Sequence, residues 1–262
     1  ALAMFLYALA GKQCDFAINN LRNDQGLFAT SSELGSVRVA NEATNLEDQA
    51  CMLWACSDLA LMAKQPNSIF TNESSKECFL AFADRLFEDI WAGKAMLLDT
   101  SLNKVLAQSI AIPALVWYCC ATDTHDLRAK CLWSLREFAD NLVKAQDANE
   151  MVGDTLVDAA AALRALVDAF RVTRLRTYSE TATRIFDFIE SQWSKTGVYA
   201  PTPLATEYTY NADDIGIILG ALNASRLFLK ERVDRRLAEL RMRVFFCKAV
   251  NISGLQMSMP SM

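Results

Sequence analysis

The chain is almost without histidine: His125, in the turn ATDTHDLR, is the only one among 262 residues. Imidazole acid–base chemistry and zinc ligation both lose their commonest side chain. The eight cysteines form no C-x-x-C pair, so zinc spacing is absent as well. At least six of them, at 14, 51, 56, 78, 119, 120, 131 and 247, fall in apolar helical stretches and read as small buried hydrophobes. Unpaired thiols lean the localisation slightly towards a reducing compartment, which nothing else in the sequence decides. No metal site and no cofactor are implied.

An excess of basic charge is also missing. A net charge of −5 and a pI near 5.1 exclude the basic surface that nucleic acids require. The Arg232–Arg243 cluster is interleaved with Glu231, Asp234 and Glu239 and reads as a solvated helix face. No apolar run reaches the roughly 20 residues needed to span a bilayer. The longest, IAIPALVWYCCA at 110–121, has the length of a buried helix. The opening ALAMFLYALA has no basic residue before it and reads as a helix entered in mid-pattern, within a longer polypeptide.

Sustained period-two alternation is absent too, which leaves no significant sheet. What remains is helical periodicity. Leu156, Ala160, Leu163, Val167 and Phe170 recur at steps of four and three, one face of a helix. Similar stripes run through 3–21, 46–64, 75–95, 103–121, 126–145, 174–193, 212–229 and 233–249, an all-α chain of about nine helices. Pro113 should kink or restart its helix.

Two connectors are longer than the rest and alike. Aligning Gly26 with Gly197 pairs Ile18 with Ile189, Phe28 with Tyr199 and Ala29 with Ala200. Aligning Asp48 with Asp214 pairs Glu47 with Asp213, Leu53 with Leu219 and Ala55 with Ala221. The unit is a helix, a Gly–apolar–aromatic turn, a long loop, an acid pair and a second helix. With its Gly-Leu-Phe and Gly-Val-Tyr turns, this pattern resembles the α/α-toroid superfamily, which includes six-hairpin glycosidases, sugar epimerases, terpene cyclases and prenyltransferase subunits. The resemblance implies antiparallel hairpins around a ring, here an incomplete one, over residues 1–250, with 251–262 as a C-terminal tail. The epimerases' histidines are missing, NADD departs from the cyclases' Asp-x-Asp-Asp, and the prenyltransferases' zinc ligands do not assemble.

The acid pairs admit two readings. Asn45 and Asn211 stand where helix N-caps belong, and acids in a first turn favour the helix dipole. Capping therefore accounts for the residue types and their spacing. The second reading follows from the resemblance, which would place Glu47/Asp48 and Asp213/Asp214 across a central pocket. Opposed carboxylates roughly 6–9 Å apart perform inverting glycoside hydrolysis. Glu207, Tyr208, Tyr210, Trp193, Tyr199 and Phe28 would then line a carbohydrate or small-molecule site, unless the aromatics pack beneath the loops. Asp154, four residues before Asp158, is a further acid candidate, and burial would suit Asp158 to general-acid work. Two functions remain open: a glycan-binding domain with hydrolase-like carboxylates, or a scaffold that holds a protein partner or the rest of a longer chain.

Overall fold

The computed structural model describes residues 2–29, 31–32, 39–41, 43–66, 68–200 and 209–252. Nine helices occupy the described residues, with one short β pairing, β1 (Ser31–Ser32) against β2 (Val39–Asn41). The chain divides into two compact units, Ala1–Asp140 and Asn141–Met262.

The first unit holds α1 (Leu2–Asn20), α2 (Leu46–Lys64), α3 (Glu73–Thr100), α4 (Lys104–Ala121) and most of α5 (His125–Lys144). α2 packs on α3 and lies beside α4, its next helix but one. Leu46, Ala50, Leu53, Cys56, Leu59 and Ala60 are all buried, more than a single stripe of α2. α4 is enclosed in the same way, with Ala107, Ala111, Ile112, Ala114, Leu115 and Tyr118 buried. It is apolar and long enough to cross a membrane, yet two thirds of that stretch is buried within the protein. α5 buries only one face, through Leu127, Cys131, Leu135, Phe138 and Leu142.

Pro113 does not restart α4, which runs from Lys104 through Ala121. Proline removes one ladder bond, and the helix continues across it among the buried neighbours Ala111, Ile112, Ala114 and Leu115. Between α3 and α4, Tyr118 stacks on Phe87 with centroids 4.7 Å apart and donates its hydroxyl to Asp84 at 2.7 Å.

The second unit contains α6 (Leu156–Thr173), α7 (Arg176–Ser191), α8 (Ala212–Phe228) and α9 (Arg232–Phe246), closed by a π-helical turn at Cys247–Ile252. α6 packs on α7 and on α8, again the next helix but one. From Asp158 to Ala169 every residue of α6 except Arg164 is buried. The four alanines at 159–162 allow this, because small side chains admit neighbours on several sides at once. The sequence stripe was one face of a helix that is enclosed nearly all round. α7 buries one face only, through Tyr178, Ala182, Ile185, Phe186 and Ile189.

A single turn recurs after α1, α5 and α7. Antiparallel bridges join Arg22 to Phe28, Gln146 to Val152 and Trp193 to Tyr199. Within each, the residue after the first bridge position donates its N–H to the carbonyl just before the second, as Asn23 does to Leu27 (2.8 Å), Asp147 to Met151 (2.9 Å) and Ser194 to Val198 (2.9 Å). The fifth residue of each turn takes positive φ: 81° at Gly26, 67° at Glu150 and 84° at Gly197. Two copies carry glycine there, since it has no Cβ to strain. The middle copy does not, and its sequence, QDANEMV, gives no glycine mark. The turn of the repeat read twice in the sequence therefore occurs three times, the middle copy without the long loop.

Glycine is required for a second reason one residue past the middle turn. Gly153 has φ of +83°, and a Cβ there would lie 2.4 Å from Asp158 Cβ. Gly153→Ala is expected to cost about 3 kcal/mol or more, from strain plus steric displacement. Gly197→Ala meets Val244 Cγ1 at only 3.3 Å, and should cost about 1–2 kcal/mol. Urea unfolding of both variants measures the two values, and the reverse order would refute this account.

Candidate functional site

The first acid pair opens α2. Asn45 accepts the Asp48 N–H at 2.8 Å and caps the helix. The Glu47 carboxylate accepts the Ser101 hydroxyl at 2.7 Å, and Ser101 Oγ accepts the Leu46 N–H at 3.2 Å. Thr100 donates to the Thr44 carbonyl at 2.6 Å. The end of α3 is thus fastened to the start of α2 through this acid. Gln49, one residue beyond the pair, grips the preceding turn: its side chain accepts the Phe28 N–H and donates to the Phe28 carbonyl, each at 2.8 Å. The amide does what a neighbouring strand would do, and Gln49 is fully buried. Nothing in the sequence singled it out, although a glutamine in an apolar helix is the signal that would have.

The second pair opens α8. Asn211 Oδ1 accepts the Asp214 N–H at 2.7 Å, and Asp214 Oδ2 accepts the Asn211 N–H at 3.0 Å, a reciprocal capping box. Asp213 is exposed beside it. A second box opens α6, where Thr155 and Asp158 exchange the same bonds at 3.1 Å. Asp158, 2% exposed, also accepts the Asp154 N–H at 3.1 Å. Asp154 and Asp158 do not share a helix face, because the Thr155 cap leaves Asp154 outside α6, exposed.

The aromatic candidates fall into two groups. Phe28, in the first unit, is 3% exposed and meets Phe82 edge-on at 6.0 Å. Trp193, Tyr199 and Tyr210 belong to one cluster of the second unit. Tyr199 is fully buried, with Trp193 edge-on at 4.7 Å and Phe245 at 5.7 Å; Phe245 also meets Tyr210 at 5.5 Å. Tyr199 donates to Glu190 at 2.9 Å, and Arg241 bonds the other Glu190 oxygen at 2.8 Å while lying 4.4 Å over the Trp193 ring. Burial and the Glu190 carboxylate both raise the Tyr199 phenol above its ordinary range. Phe28 and Tyr199 therefore pack beneath their turns and offer no face to a sugar ring. Glu207 and Tyr208 lie outside the described residues.

The candidates thus assemble locally. Glu47, Asp48 and Phe28 meet around the start of α2, and Trp193, Tyr199 and Tyr210 around the end of α7. Among the described residues, no group of three His, Cys, Asp or Glu converges as a metal site. The cysteines divide evenly: Cys14, Cys56, Cys119 and Cys131 are buried, whereas Cys51, Cys78, Cys120 and Cys247 are exposed. Helical stretches that looked uniformly apolar have outward positions, and half of the thiols occupy them. The chain matches no protein-family model, no characterised protein and no solved structure.

Replacing Gln49 by Leu should cost about 2–4 kcal/mol, because the Phe28 N–H and C=O lose their buried partners together. Asp214→Ala should cost only about 1 kcal/mol, the usual loss of a capping interaction. Paired denaturation curves measure both. Equal costs would mean that the Gln49 clamp adds nothing beyond ordinary capping.

Proposed function

We propose that this chain is a non-catalytic interaction domain of helical hairpins, arranged as in an α/α toroid, which holds a protein partner or another part of a larger polypeptide. The carrying observation is how its acids are used. Asp214 and Asp158 close capping boxes, and Glu47 is held by Ser101. A catalytic carboxylate must be free to exchange protons with substrate or water, whereas these accept bonds that fix the starts of their helices.

Two further features support the reading. Enclosed helices alternate with one-faced helices along the chain: α2, α4 and α6 are buried broadly, while α5 and α7 bury a single face. Such alternation is what inner and outer rings of hairpins require. The outer side of α1 leaves Leu2, Phe5, Leu9 and Phe16 exposed, spaced as one helical stripe and suited to burial against another surface.

The glycan-pocket reading keeps one supporting observation, the exposed carboxylate of Asp213 at the start of α8. A glycan array probed with the chain and with the Asp213→Asn/Asp214→Asn variant separates the two. Scaffold function predicts no sugar binding by either protein; sugar binding lost in the variant would replace it with the carbohydrate reading. In cells, a photo-crosslinking residue at Phe5 or Leu9 should yield discrete protein adducts that one at exposed Glu180 does not. Equal adducts at all three sites would refute an interface on α1.

A further inference from the structure

The thiols of Cys14 of α1 and Cys56 of α2 face each other across the seam between the two helices. Cys56 is completely buried, and Cys14 is 7% exposed. Their surroundings are unequal. Cys14 helps to line a groove of about 450 Å³ between α1 and α2, whose other walls include Leu6, Tyr7, Leu59, Met62 and Phe70. Asp58, partly buried, supplies the groove's one carboxylate. Contact with Cys14 and burial both push the Cys56 thiol up. Cys14, which lines the groove, is the sulfur that a reagent reaches first, and fully buried Cys56 follows, as thiol–disulfide exchange requires.

We propose that Cys14 and Cys56 form a reversible dithiol–disulfide site, oxidised through the α1–α2 groove by small disulfides that carry an ammonium group. The Cys14 thiolate attacks one sulfur of the reagent, whose S–S bond breaks and releases a first thiol that takes up the Cys14 proton. Cys56 then gives up its proton and attacks the Cys14 sulfur of the mixed disulfide, releasing the second thiol. The protein loses two electrons and two protons, and the reagent becomes two thiols. Asp58 sets the preference for a cationic reagent by facing the groove with a negative charge. The link ties α1 to α2, the helix on which it packs.

A second buried thiol pair provides the internal comparison. Cys131 donates its thiol to the Leu115 carbonyl at 3.1 Å and lies beside Cys119, whose thiol is lowered to about 7 by that contact. The described groove does not reach it.

The experiment treats the reduced, folded chain with cystamine and, in parallel, with oxidised glutathione, and maps the products by peptide mass spectrometry. The expected product is lighter by two hydrogens, with Cys14 joined to Cys56 before Cys119 or Cys131 reacts. Cystamine should act at least about tenfold faster than glutathione disulfide, and Asp58→Asn should remove most of that difference. Amide exchange along α1 should slow in the linked form. Any of four results overturns the proposal: a mixed disulfide at Cys14 that never resolves, Cys119–Cys131 linkage first, no preference for cystamine, or unchanged α1 exchange once the link has formed. The primary measurement needs no substitution, so a poorly folding cysteine variant cannot obscure it.

Discussion

A helix begins with N–H groups that no carbonyl of its own can reach, and the rest of this structure depends on how those groups are met. Asn45, Asn72, Asn103, Thr155 and Asn211 each turn a side-chain oxygen onto the first turn of the helix that follows. At α6 and α8 an aspartate returns the bond, so that both the entering chain and the helix are fixed. These contacts set where each helix starts, and the start sets which side chains face inward. Moving the start of α6 by one residue would turn the alanine run out of register with its neighbours and carry Arg164 off Gly220 of α8, beside which it lies.

The same constraint explains why acids gather where a catalytic reading would look for them. Carboxylates at helix starts are common because the backbone there presents donors and a favourable dipole. Residue type and position do not reveal that use; hydrogen-bond partners do. Asp214 bonded to the Asn211 N–H has its role within its own helix, and Glu47 bonded to Ser101 joins two elements.

Much of the fold was legible in the sequence, because apolar periodicity and asparagine caps are local signals. The helices were placed close to their observed limits, and Gly26 and Gly197 marked their turns because positive φ favours glycine. The middle turn escaped notice because Glu150 tolerates φ of 67° and leaves no such mark. Periodicity also understated α6, whose alanines are buried without contributing to an apolar stripe. The cysteines misled in the opposite direction, since a thiol on an apolar helix carries no sign of which way it faces. The candidate site was legible only as a set of residues. The clamp by Gln49 and the Glu190–Arg241 pair under Trp193 join positions 21 and 51 apart in sequence, and no local pattern encodes such contacts.

The recurring bridged turn has a consequence for variation. From the middle copy the chain enters its next helix almost at once, at Leu156, whereas from the other two it travels on to Leu46 and to Ala212. Each junction closes its inner turn bond before the chain departs, Asn23 to Leu27, Asp147 to Met151 and Ser194 to Val198. The excursion that follows can therefore change in length or composition as long as Gln49 still returns to Phe28 at the first junction. The excursions can thereby be exchanged while the helical frame stays constant, much as interchangeable tips are fitted to one handle.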